Sequence, residues 1–406
     1  MDVKSTKPFR ALIYNKDKIK DISTCVCPPY DVITDRDIYT KKNPYNAINL
    51  ELPVSEPPLD EYTAAKNILD GWLKDKILIQ DNKETVYVYE QDFEFNGSSF
   101  MRRGFVSLNR LDRHRILIHE ATRAKAKKDR ERLISTLKTY TSFVFGLYED
   151  RENNIEDLLA NSQRELIYDF DDENSIKNRF YRIKGKDYIE NLCKLMEDKK
   201  IYIADGHHRL DVSYRLNLDY IPIYLTNMYA QGIVIWPYHR IIKFKKNRRF
   251  AYILDILNNF MEIDKIAMTD STSITKAIDI IASEKKPAYA LYSKDDTENI
   301  YIIKEKRPVV FKEDIHDVLK RLKVNILHSG ILNNILDIEE EEISFTQDPL
   351  GFIESIKNGS IDLIALLPAT TVEEVKDIAD NSLYMPPKST FFFPKILTGP
   401  IFYKFG

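Results

Sequence analysis

Apolar side chains recur at four-residue spacing in Ala64, Ile68 and Trp72, which predicts a short amphipathic helix over Thr63–Trp72. A period of two takes over in Thr85–Phe95, where Val86 and Val88 share one face and Tyr87, Tyr89, Phe93 and Phe95 the other. Asn96-Gly97 then reads as a hairpin turn into a second strand, Phe100–Leu108. The same patterns predict strands at Phe9–Tyr14, Phe143–Tyr148, Tyr202–Ala204, Tyr220–Tyr229 and Gly232–Pro237. They predict helices at Arg130–Leu137, Tyr188–Met196 and His208–Leu216, and the polar run Asp150–Glu173 is expected to hold a helix and a surface connection.

The pattern lapses over the basic stretch Ile242–Arg249, which places a domain boundary there: 1–245 and a smaller α/β domain, 246–406. Beyond it, Tyr252–Met261, Ser273–Ser283 and Asp314–Leu322 read as helices. Ala288–Tyr292 and Ile300–Ile303 read as strands paired across a turn. A chain of 406 residues is too long for one ordinary core, which agrees with two domains. The class expected is α+β, with the C-terminal segment returning toward the site of the first domain.

Composition narrows the function classes. Sixty basic against 63 acidic residues leave a net charge of −3, so there is no global pull toward nucleic acid or an anionic membrane. No apolar stretch reaches the roughly 20 residues of a membrane helix. Cys25 and Cys27 are separated by one residue and Cys193 stands alone, which fits neither a zinc knuckle nor a disulfide framework. With a charged start and no apolar leader, a reduced, cytoplasmic setting is expected.

Four segments could carry chemistry. In Asp205-Gly206-His207-His208-Arg209, between a predicted strand and a predicted helix, the glycine allows a tight turn and close backbone approach to a ligand. A helix start would aim amides and the positive dipole end at that turn, and Arg209 adds a planar fork suited to phosphate. Asp205 could hold a metal ion or accept a proton, and His207 and His208 could donate to phosphate or move a proton. The alternative is a capped turn with hydrogen-bonded histidines.

In the second segment, His119-Glu120 continues to Arg123, Lys127 and Arg130. On a helix, Glu120 and these three cations would share one face and bind a polyphosphate beside a general base. A solvated helix with internal ion pairs is the alternative. The third, Lys388-Ser389-Thr390 after two prolines, could reach an anion but lacks the glycine-rich lead of a P-loop. The fourth is Trp236-Pro237-Tyr238-His239-Arg240. No GxSxG elbow or HExxH pair is present.

In order along the chain, Pro28-Pro29-Tyr30-Asp31-Val32-Ile33, His119-Glu120 with Asp129-Arg130, Asp205–Arg209, His239-Arg240 and Met385–Lys395 resemble the blocks of the DUF1015 family. The Asp-Gly-His-His-Arg segment is also similar to that of free L-serine kinases of the ParB/sulfiredoxin superfamily. Those enzymes phosphorylate the serine hydroxyl with ADP or ATP. The resemblance implies a ParB/sulfiredoxin-like catalytic core and a nucleotide-dependent kinase for a small hydroxylated metabolite, L-serine first. Asp205, Gly206, His207, His208 and Arg209 would be its nucleotide and catalytic groups. Those kinases also use a glutamate base that does not align here; apart from the resemblance, the residues themselves suggest Mg²⁺ near Asp205 and Glu120 or a histidine as the base. Sulfiredoxin chemistry is disfavoured, because His207 stands where that segment carries its cysteine. A ParB-like CTP switch and a phosphohydrolase are the competing readings.

Overall fold

The computed structural model describes residues 4–121, 124–246 and 248–406. The chain forms two compact units: Met1–Ile118, Thr122–Val234 and Pro394–Gly406 make the first, and His119–Ala121 with Ile235–Phe393 the second. Both mix helices with sheets.

The first unit is built on a nine-stranded sheet. From one edge its order is Ile116–Leu117, Ile201–Asp205, Val144–Tyr148, Tyr220–Asn227, Ser98–Arg110, Tyr87–Phe95, Lys177–Ile183 and Arg164–Asp171, with Thr6–Lys7 also paired to Ser98–Arg110. The predicted hairpin is present, with Phe95 opposite Ser98 and positive φ at Asn96 (49°) and Gly97 (73°). Two positive φ angles match the right-handed twist of the flanking strands. The polar run after Asp150 departs from expectation: after the helix Asn154–Asn161 the chain enters the edge strand Arg164–Asp171 rather than a surface connection.

Three features of this sheet position the site. Ile201–Asp205 runs antiparallel to Val144–Tyr148, and its register slips between Ile203 and Asp205 so that Asp205 stands opposite Phe145. Such a slip bends a strand and re-aims its last side chain. The chain then turns at Gly206 into the helix His207–Arg215. In a separate four-stranded sheet, the C-terminal strand Ile401–Lys404 pairs with Leu12–Tyr14, which ties the Pro394–Gly406 tail into this unit.

The second unit has a six-stranded sheet, ordered Met261–Ala267, Asp296–Glu305, Ala288–Ser293, Leu363–Leu366, His239–Ile242 and Ile343–Thr346. Its apolar face packs Ile241, Tyr292, Ile302 and Ile364 against Ile274, Ala277 and Ile281 of the helix Thr272–Ser283. The expected helix Tyr252–Met261 is divided: Phe250–Leu257 is helical, and Met261 opens an edge strand. Asn258 and Asn259, poor helix formers, lie at the break. Only Asp317–Arg321 of the expected helix Asp314–Leu322 forms, capped by the His316 side chain, which accepts from the Val318 amide at 3.3 Å.

Candidate functional site

Asp205 closes its strand with both carboxylate oxygens engaged. Lys395 Nζ lies 2.7 Å from Oδ1, and Arg209 Nη2 lies 3.1 Å from Oδ2. Burial pushes this carboxyl up, but the charges of Lys395 and Arg209 outweigh burial and hold its pKa at about 2. A folded value below the usual 3.8 means that the ionised form is the one the fold favours. The stability it contributes is therefore complete above pH ~4 and is lost as pH falls from there toward 2. Unfolding of wild type and Asp205→Asn, measured from pH 5 to pH 2, is expected to show their stability difference shrinking across that window. Parallel curves would show that the ion pairs do not act on Asp205.

Gly206 is the turn between strand and helix. Its φ is +91°, and a Cβ placed there would lie 3.1 Å from the Val144 Cα and 3.3 Å from Arg209 Nε. Any other residue would strain the backbone and crowd the guanidinium. Beyond the turn, the first amides of the helix His207–Arg215 have no intrahelical acceptor, and the positive end of its dipole faces the same place. Arg209 is 3 % exposed, and besides holding Asp205 it donates from Nη1 to the Phe143 carbonyl at 2.6 Å. Its Nε is buried with no hydrogen-bond partner among the described residues.

A second chain of contacts converges on His208. Its Nδ1 is 3.1 Å from the Tyr30 hydroxyl, which ties the proline-stiffened loop to the helix. Burial pushes that phenol up to about 12, so it keeps its proton near neutrality. The Arg130 guanidinium sits 4.4 Å over the Tyr30 ring. Arg130 is buried and donates from Nη1 to the backbone carbonyl and carboxylate of Glu51, at 2.8 and 3.3 Å. Glu51, itself 2 % exposed, also accepts from the hydroxyls of Thr141 and Ser142. Glu51, Arg130, Thr141, Ser142 and Arg209 line one small pocket.

The expected cationic helix face is only partly realised. The helix is Ala124–Leu137; Glu120 lies in a bend outside it, and Arg123 falls outside the described residues. Lys127 is paired with Asp211 at 3.3 Å, and Arg130 with Glu51 and Asp129, so both cations already face carboxylates. His119, Glu120, Lys388, Ser389 and Thr390 belong to the second unit. There His119 Nε2 and the Thr390 hydroxyl are 3.1 Å apart, and Ser389 Oγ donates to the Pro386 carbonyl at 2.6 Å. Lys388 has φ +53°, and its Nζ lies 5.1 Å above the Tyr238 ring. Arg240, fully buried, donates to the carbonyls of Tyr238 and Lys388, and burial lowers its pKa to about 9. These groups brace the Met385–Thr390 loop.

The Mg²⁺ expected at Asp205 does not fit the residues found there. Two cations already occupy its oxygens, and a dication would meet their repulsion. Among the described residues no group of three or more His, Cys, Asp or Glu side chains could hold a metal. Cys25, Cys27 and Cys193 are buried and unlinked, with thiols pushed up by burial, to about 11 for Cys25 and Cys193. Among the described residues, no helix is long and apolar enough to cross a membrane.

Lys395 and Glu51 are the site residues that sequence reasoning passed over. A signal for Glu51 was present, since it is a lone acid within Leu50-Glu51-Leu52, where apolar neighbours on both sides favour a buried, paired carboxylate.

Fold and site together define a two-unit α/β protein with an arginine-braced strand–glycine–helix junction. A family model described as a protein of unknown function (DUF1015) matches residues 6–325, and the chain belongs to that family. No curated protein matches the sequence. Among solved structures, a free serine kinase variant in complex with ADP is 14% identical, with 72% of this chain and 87% of that chain covered and a TM-score of 0.38. A conserved hypothetical protein from Pyrococcus furiosus is 14% identical, covering 71% and 91% at a TM-score of 0.35. C-terminally truncated SbnI from Staphylococcus aureus is 9% identical, covering 72% and 85% at 0.36.

Proposed function

We propose that the protein is a nucleotide-dependent phosphotransferase, with a ParB/sulfiredoxin-like core, acting on the hydroxyl of a small metabolite, free L-serine first. The supporting observation is the Arg209 guanidinium, fixed by Asp205 and the Phe143 carbonyl at the start of the helix His207–Arg215. A rigid cation beside a positive helix end and a side-chain-free turn suits the phosphates of ADP or ATP.

In the transfer, the acceptor oxygen bonds to the terminal phosphorus as the bond to the leaving nucleotide breaks. The nucleotide keeps that electron pair, and a base takes the hydroxyl proton. His208 is assigned as that base, because Tyr30 fixes its ring. Asp205 is assigned to placing Arg209, since a carboxyl held at about 2 is too weak a base for this proton near neutrality.

Nucleotide binding tests the first half of this reading. At 100 times its dissociation constant, ADP or ATP is expected to stabilise the native state by about 2.7 kcal/mol, which a melting curve detects. A melting temperature unmoved by millimolar ADP, ATP or CTP would remove both the kinase and the nucleotide-gated alternative.

A further inference from the structure

The peptide joining Pro394 and Lys395 is gripped from within the sheet of the first unit. Arg102 is fully buried, with its guanidinium 4.9 Å over the Phe145 ring, and its Nη2 donates to the Pro394 carbonyl and to Gln91 Oε1. Gln91 Nε2 in turn donates to the Lys395 carbonyl at 3.2 Å. Gln91 and the Tyr89 hydroxyl both donate to Asn178 Oδ1, at 3.2 and 2.6 Å. Burying a guanidinium is costly unless its donors are used, and here one buried polar network is directed at two successive backbone carbonyls.

The side chain so placed is that of Lys395, which is 12 % exposed and whose Nζ lies 2.7 Å from Asp205 Oδ1. Arg209 already serves Asp205 as a counter-ion at 3.1 Å. With two cations on one carboxylate, Asp205, Arg209 and Lys395 together carry an excess positive charge, next to the positive end of the helix His207–Arg215.

We infer that Lys395 is a phosphate-binding residue of this site, contacting the terminal phosphates of the nucleotide, with Asp205 as its resting counter-ion. The inference rests on the proposed nucleotide-dependent transfer for the identity of the ligand. When phosphate arrives, its oxygens supply negative charge to Lys395 beside that of Asp205. A flexible ammonium suits that exchange better than a planar guanidinium does.

The test compares the full chain with Lys395→Met and Lys395→Arg, using inorganic pyrophosphate and AMP as probes and the melting temperature as readout. Pyrophosphate is expected to raise the melting temperature of wild type. The half-maximal concentration is expected to rise at least 10-fold in Lys395→Met and to recover substantially in Lys395→Arg. AMP, which lacks the terminal phosphates, is expected to bind wild type and Lys395→Met alike. A merely structural lysine would weaken both probes together, and that result overturns the inference. So does equal pyrophosphate binding in wild type and Lys395→Met, or a wild type blind to pyrophosphate. Should Lys395→Met fail to fold, Lys395→Gln, which can still donate to Asp205, takes its place in the comparison. A lysine-dependent pyrophosphate effect without any phosphorylated acceptor would sink the kinase reading while leaving Lys395 in its role.

Discussion

Asp205→Ala is expected to abolish phosphoryl transfer and to destabilise the first unit by about 3–5 kcal/mol, the usual cost of stripping one partner from a buried ion pair. The reason is the company the carboxylate keeps. Arg209 is 3 % exposed and Lys395 is largely buried, so removing the charge between them leaves two cations facing each other beside a helix N-terminus. For a unit of this size the loss corresponds to a drop of roughly 6–20 °C in melting temperature. Asp205→Asn keeps the shape and can still accept hydrogen bonds, so it is expected to retain more stability than alanine while losing the charge that fixes Arg209. Denaturant titration and turnover of the two variants check this. An alanine variant with wild-type stability and turnover would contradict the assignment of Asp205.

Glu51→Ala is expected to have an effect of similar size, about 3–5 kcal/mol, because among the described residues it leaves the buried Arg130 guanidinium with Asp129 as its remaining carboxylate. Thr141 and Ser142 lose their acceptor at the same time. Glu51→Gln preserves an accepting oxygen and is expected to cost less. The consequence reaches the chemistry through packing: Glu51 fixes Arg130, Arg130 lies on the Tyr30 ring, and Tyr30 holds His208 Nδ1. Turnover is therefore expected to fall in Glu51→Gln by more than its stability loss alone would bring. A Glu51→Ala protein that melts within a degree of wild type would show that this carboxylate does not anchor the pocket.

The hairpin of Tyr87–Phe95 and Ser98–Arg110 was legible because period-two alternation and an Asn-Gly turn report the same structure twice. The strand–turn–helix at Asp205–Arg209 was legible for a similar reason, since Gly206 interrupts two clear patterns and its φ is indeed positive. The missed strands Arg164–Asp171 and Met261–Ala267 are sheet edges. Edge strands expose charged side chains and so lack a continuous apolar face. Lys177–Ile183 was hidden differently: Arg179 pairs with Glu90 and Asp92 on the neighbouring strand, so its alternation is ionic rather than apolar.

The partners of Lys395 and Glu51 required the fold itself. Asp205 and Lys395 are 190 residues apart, and Glu51 and Arg130 are 79 apart, so no local spacing encodes either pair. The expected cationic face is only partly realised for a related reason. Helical spacing places Lys127 and Arg130 on one helix, but only tertiary packing brings in the carboxylates of Asp211 and Glu51 that claim them.

Phosphorus NMR of the purified full chain, given Mg²⁺ with ADP or ATP and a panel of hydroxylated metabolites including L-serine, tests the central claim most directly. The expected result is a new phosphomonoester resonance that requires both nucleotide and acceptor and is absent with Asp205→Asn. Nucleotide consumed only to inorganic phosphate, or no new resonance with any donor and acceptor, would contradict it.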